Sequence, residues 1–157
     1  MMLLVEYSKA IYNKLSQTNH YEVARLEGSL LDNLPDFDLE ELVISYIQVK
    51  YDYYVLSNSI ASKSTTIKVE CEFLSRDPKR VRKAVVQVKG RKAEALDALQ
   101  FADFTQNGYE VFLFAPEVLN ADKVDNIVVI TPNELIDFYE NYKVILPDSI
   151  TQWENLY

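Results

Sequence analysis

The chain is poor in the residues that most often announce chemistry. Cys71 is its only cysteine and His20 its only histidine. A single cysteine excludes an intramolecular disulfide and a cysteine-based zinc cluster. A single histidine argues against Ser-His-Asp and multi-histidine metal chemistry. Glycine and proline are also scarce, 3 and 5 residues among 157, so no linker or low-complexity segment interrupts the chain. No internal repeat is present. No apolar run approaches the ~20 residues of a membrane-spanning helix. The N-terminal stretch MMLLVEYSKAIYNKL lacks the long apolar core and small-residue cleavage site of a signal peptide. No glycine-rich phosphate loop follows a strand, which ranks a flavodoxin-like small-molecule enzyme last. These absences predict a cytoplasmic protein without a membrane partner.

Hydrophobic residues make up 48% of the chain, enough for one domain with a real core and a small appendage. The net charge is −8 and the pI about 4.7. That acidity argues against a general nucleic-acid coat. The charge is uneven, however. Lys79, Arg80, Arg82, Lys83, Lys89, Arg91 and Lys92 fall in one stretch without an acid. Such a run suits a phosphate-bearing ligand. It equally suits a hairpin tip kept soluble and protected from edge pairing.

The stretch TTIKVECEFLSRDPKRVRKAVVQVKG, residues 65–90, predicts a β-hairpin. Ile67, Val69, Cys71 and Phe73 alternate with Lys68, Glu70 and Glu72. Ala84, Val86 and Val88 alternate with Val85, Gln87 and Lys89. Successive strand side chains point to opposite faces, so each strand has one apolar face. Arg76-Asp77-Pro78-Lys79-Arg80 carries the Asp-Pro punctuation of a reversal. Pairing gathers Glu70, Glu72, Gln87 and Lys89 on the face away from the core. A solvated face explains that pattern as well. Cys71 lies on the apolar face and is a packed thiol.

Elsewhere the spacing predicts helices over residues 2–16 and 21–31, which cover the sheet or form a homodimerisation arm. Asp38 and Glu41 have capping-box spacing and start a helix that runs to about Lys50. Leu39, Leu42, Val43, Tyr46 and Ile47 form its apolar stripe. At ~100° per residue, Glu40 lies at the edge of the stripe and Glu41 nearly opposite it. Tyr51–Ser57 reads as a strand, followed by a polar, serine-rich loop. After Gly90, Ala95, Leu96, Leu99 and Ala102 predict a buried helical face over about Lys92–Phe104. Tyr109–Ala115 and Val124–Ile130 are apolar enough for strands covered on both faces. Thr131-Pro132-Asn133-Glu134 starts a last helix, with Leu135, Ile136 and Tyr139 inward. Pro147–Tyr157 packs irregularly through Trp153 or frays. The fold class is therefore α/β with a mixed sheet: helix, strand, hairpin, helix, strand, strand, helix.

This order, with Glu72 followed by Gln87-Val88-Lys89, resembles the PD-(D/E)xK nuclease superfamily. The segment VVQVKG is most similar to the QxK variant of Mrr-type restriction endonucleases. The resemblance spans about Asp38–Ile130. It implies a restriction endonuclease-like core at 38–146, with a helical extension at 1–37 and a tail at 147–157. It further implies phosphodiester hydrolysis on DNA with Mg²⁺ or Mn²⁺. Glu72 becomes the metal ligand, with Glu70 as the alternative. Gln87 offers an amide oxygen, Lys89 orients water or stabilises charge, and Glu40 adds a carboxylate from the helix. Lys79, Arg80, Arg82, Arg91 and Lys92 become the nucleic-acid contacts. The chain departs from the family pattern in three ways. Glutamate stands for aspartate, glutamine for the third-strand acid, and the Pro-Asp dipeptide is missing. Those departures keep a second reading open, a catalytically degenerate interaction module on the same scaffold.

Overall fold

The computed structural model describes residues 30–59, 69–90 and 92–156. The expected helices over 2–16 and most of 21–31, the hairpin start at 65–68, and Arg91 lie outside the described residues. A short helix α1, Leu30–Asn33, leads through Pro35 into α2, Asp36–Tyr51. Strands β1 (Tyr53–Val55), β2 (Cys71–Ser75) and β3 (Lys83–Val88) follow. Then come β4 (Leu96–Asp97), α3 (Ala102–Gln106), β5 (Tyr109–Phe114), β6 (Val118–Leu119) and β7 (Ile127–Val129). The chain closes with α4 (Pro132–Tyr142), α5 (Asp148–Thr151) and a last 3₁₀ segment.

The five-stranded sheet has the order β1-β2-β3-β5-β7, and β4 and β6 form a separate two-stranded ladder. β1, β2 and β3 are antiparallel neighbours, whereas β5 runs parallel to both β3 and β7. The fold is thus mixed α/β, as the alternation of elements predicts. One face of β2 and β3, through Cys71, Phe73, Ala84, Val86 and Val88, packs on α2 and α4. The other face, through Val85, Val111 and Leu113, packs on Leu96, Ala98 and Phe101. β3 is the central strand and β5 its interior neighbour, with Val111, Phe112 and Leu113 of β5 fully buried. Each such side chain contributes about 1.5–3 kcal/mol by leaving water.

The α2 stripe of Leu39, Leu42, Val43, Tyr46 and Ile47 is buried as its spacing requires. The helix starts two residues before Asp38, and Pro35 at the cap makes no side-chain cap bond. Asp38 does not cap. It is buried, 1% exposed, and faces the C-terminal segment. Trp153 and Ser149 approach its carboxylate and lower its pKa, but burial outweighs them and raises it. Neither carboxylate oxygen has a partner with hydrogen-bond geometry. Ile150 and Trp153 are buried against this helix, so the tail belongs to the core through Trp153. Leu31 and Leu34 join the same core.

The hairpin turn forms as its sequence demands. Lys79 N donates to Asp77 Oδ1 at 2.9 Å and Arg80 N donates to Asp77 O at 3.2 Å. The last long helix is opened by a capping box between Thr131 and Glu134. The expected helix over Lys92–Phe104 is different. Only Ala102–Gln106 is α-helical, while Leu96 pairs with Val118 in the small sheet. Asp97 accepts from Leu99 N and caps a 3₁₀ segment, Ala98–Phe101. The apolar spacing was that of a helix, but Ala95 and Leu99 are exposed. β7 is also unlike a central strand. It is an edge strand, with Val129 exposed.

Candidate active site

A cleft of about 700 Å³ opens where β3 leaves the sheet. Strand ends beside a switch in strand direction are where α/β sheets commonly hold ligands. Its apolar lining comes from Leu31, Leu34 and Leu39. Its polar lining comes from Glu40, Glu70, Gln87 and Lys89, with Asp36 and Lys92.

Gln87 is the anchor. It is 3% exposed, although its side chain lies on a cleft wall. Its Nε2 donates to Glu70 Oε1 at 2.9 Å and makes a longer 3.4 Å contact to Val88 O. Among the described residues its amide oxygen accepts no hydrogen bond. Lys89 follows on the same strand, and its backbone N donates to Phe114 O, tying the strand exit to β5. Glu40 comes from α2, one turn after Asp36. Burial chiefly, then the carboxylates of Glu70 and Asp36, push the Glu40 carboxyl up to about 7, against an opposing pull from Lys89. Among the described residues the cleft therefore brings the Asp36, Glu40 and Glu70 carboxylates together with Lys89 and Lys92.

Glu70 and Glu72 are not equivalent. In the β2–β3 register Cys71 faces Val86 and Glu72 faces Val85. Glu70 N also donates to Val86 O, so two successive residues address one partner. Carried one residue further, the β2–β3 register sets Glu70 opposite Gln87, and the two side chains meet there. Glu72 does not line the cleft; its backbone N donates to Ser59 Oγ at 2.8 Å, nearer β1. The geometry thus assembles Glu40, Glu70, Gln87 and Lys89, and leaves Glu72 outside.

The basic run is divided. Lys92 lines the cleft, whereas Lys79, Arg80 and Arg82 sit at the far end of β3. Six residues of strand separate the ends by roughly 20 Å. Arg80 is moreover committed to the core. Its guanidinium is paired to the buried Glu110 of β5 and lies 4.4 Å from the Tyr51 ring centroid. A phosphate there would compete with a carboxylate already in place. Cys71 is buried, with its thiol pushed up to about 12, and is a packing residue.

No group of three or more His, Cys, Asp or Glu side chains among the described residues is arranged to hold a metal ion. Magnesium keeps several of its waters and needs only one or two carboxylates, so two glutamates and an unpartnered amide oxygen suit it. The Glu40 carboxyl is raised chiefly by burial, and the neighbouring Glu70 and Asp36 carboxylates add to that.

Sequence reading singled out Glu40, Gln87, Lys89 and, as the alternative to Glu72, Glu70, all of which line the cleft, but overlooked Asp36 and the leucines. The signal for Asp36 was Gly90. A Cβ at Gly90 would lie 2.7 Å from Asp36 Oδ1, so a side chain there would displace the carboxylate. No helix among the described residues is long and apolar enough to cross a membrane. The chain matches no protein-family model, curated protein or solved structure to which it was compared.

Proposed function

We propose that the cleft is a divalent-cation-dependent phosphodiesterase site acting on DNA, built on a PD-(D/E)xK-like core. The observation that carries this reading is the convergence of Glu40, Glu70, Gln87 and Lys89 in one cleft. The element order supports it too: a helix, a three-stranded antiparallel meander, a crossover and a strand parallel to the third. Nuclease chemistry needs oxygen ligands for a cation beside a fixed positive charge, and the carboxylates and Lys89 lining the cleft support that reading.

When bound, Mg²⁺ polarises a phosphate oxygen and lowers the pKa of a water. Glu40 and Glu70 hold the ion with their carboxylates, and Gln87 turns its amide oxygen toward it. The hydrogen bond from Gln87 Nε2 fixes both the amide and the Glu70 carboxylate, so neither must be ordered on binding. Lys89 orients the attacking water and offsets charge that develops on the phosphate. Lys92, at the rim, attracts the backbone of the substrate.

A second reading keeps the scaffold without the chemistry, as a non-enzymatic interaction module. The neutral Gln87 favours it, because an amide binds a cation more weakly than a carboxylate. Incubating DNA with Mn²⁺ and either the natural protein or Lys89→Ala separates the two. The proposed chemistry requires cleavage by the natural protein and a loss of at least about a hundredfold in the variant. Absence of cleavage, or cleavage untouched by the substitution, supports the module instead.

A further inference from the structure

Away from the cleft, near the hairpin end of the sheet, one row of side chains crosses four strands. The register pairs Tyr54 of β1 with Leu74 of β2, Leu74 with Lys83 of β3, and Lys83 with Tyr109 of β5. Residues paired across strands share a face, so these four lie side by side. Two residues further along β3 and β5, on the same face, Val85 and Val111 are buried against Leu96, Ala98 and Phe101. That cover ends at the hairpin row: Tyr54 and Lys83 are exposed, and Leu74 and Tyr109 are half-buried.

Each ring in the row has a cation beside it. The Arg76 guanidinium lies 5.9 Å from the Tyr54 ring centroid, and the Lys83 ammonium lies 5.5 Å from that of Tyr109. Tyr109 meets Phe104 edge-on at 5.7 Å, which sets the angle of its ring. Arg76 approaches Asp52 at 3.7 Å, but both side chains are more than half exposed, and a surface pair of this kind contributes little. Arg76 thus differs from Arg80, whose partner Glu110 is buried. In a chain of net charge −8, this face is complementary to an anion. Solubility accounts for the two cations. It does not account for two tyrosine rings in the same row.

Sheet faces that bind single-stranded nucleic acid combine these groups: rings on which bases stack, and cations that track the phosphates. A duplex keeps its base faces inside its own stack and offers the rings nothing. An acidic peptide would engage the cations alone.

We propose that Tyr54, Leu74, Lys83 and Tyr109, with Arg76, form a platform for single-stranded nucleic acid. Tyr54 and Tyr109 stack on bases, and Arg76 and Lys83 meet the phosphates. The platform lies at the opposite end of β3 from the cleft and needs no metal ion, so it stands or falls apart from the phosphodiesterase reading.

Fluorescence anisotropy of labelled strands with the full chain tests it. EDTA is present throughout, so that binding is read without metal-dependent cleavage. The probes are an oligothymidylate of about 12 nucleotides, an abasic strand of the same length and a duplex of the same length. The variants are Tyr54→Leu, Tyr109→Leu and Lys83→Gln, each checked for folding by its thermal midpoint. The natural protein should bind the oligothymidylate at least about tenfold more tightly than either other probe. Tyr54→Leu should weaken that binding roughly tenfold and leave the abasic strand unaffected. Lys83→Gln should reduce the slope of log affinity against log salt by about 0.7. Tyr54 is exposed, so its variant decides the matter if Tyr109→Leu does not fold. No binding of the oligothymidylate overturns the proposal. Equal binding of the abasic strand or the duplex also overturns it, since charge alone would then act. So does unchanged affinity in Tyr54→Leu, or a dimer in sizing experiments that Tyr54→Leu dissociates, which assigns the face to a second copy of the chain.

Discussion

Gln87 Nε2 donates to Glu70 Oε1 at 2.9 Å, joining the end of β3 to the residue just ahead of β2. The contact fixes which atom of the buried amide faces the cleft. It also makes the amide an alternative to the acid more usual in the resembled family. Gln87→Glu would place two carboxylates together where Gln87 is almost fully buried and Glu70 half-buried. The variant should lose about 2 kcal/mol without cation, since a hydrogen bond to a charged group is replaced by repulsion. Saturating Mg²⁺ should restore most of that loss. Thermal unfolding with and without Mg²⁺ reads both effects, and equal midpoints in the two conditions would speak against a cation at this wall.

Glu40 makes stability depend on pH. Its carboxyl is raised from 4.5 to about 7, so the folded protein holds this proton more tightly than the unfolded chain. The sign follows from linkage: stability is greatest below the ordinary range, falls as pH rises from about 4.5 to about 7, and then levels. Glu40→Gln should flatten that fall and be the more stable protein at pH 8, by about 1 kcal/mol after allowance for solvent screening. Urea unfolding across pH 4–8 measures it. Parallel curves for the two proteins would assign the dependence to another group.

Arg80 and Glu110 should behave as a structural pair. Their side chains are 30% and 8% exposed, and removal of one leaves a poorly solvated charge in the other. Glu110→Ala or Arg80→Ala should each cost on the order of 3 kcal/mol in urea unfolding. The double change should cost much less than the sum, because no orphan charge remains. Additive losses would contradict the pairing.

Much of the scaffold was legible because its elements obey one period at a time. Leu39, Leu42, Val43, Tyr46 and Ile47 mark the buried face of α2, and alternation marks β2, whereas β3 is buried on both faces from Ala84 to Val88. Asp77 and the Thr131–Glu134 pair show where the chain turns and where α4 begins. The Lys92–Phe104 region misled because Leu96 and Leu99 have helical spacing. Leu96 instead pairs with Val118, and the Asp97 side chain favours a 3₁₀ start over a longer helix. In the site, Gln87 and Lys89 follow from alternation along β3. The choice between Glu70 and Glu72 does not, because both have the same parity. It is decided by the register between strands, which sets Glu72 opposite Val85 and carries Glu70 to Gln87. The basic run looked continuous because a sequence does not display the strand that separates its ends.

The most direct test compares Glu70→Gln with Glu72→Gln in Mn²⁺-dependent cleavage of DNA. The two acids are two residues apart, and only Glu70 bonds Gln87 and lines the cleft. The account predicts cleavage by the natural protein, loss of at least about a hundredfold in Glu70→Gln, and a change of less than threefold in Glu72→Gln. Retained activity in Glu70→Gln, with loss in Glu72→Gln, would contradict it.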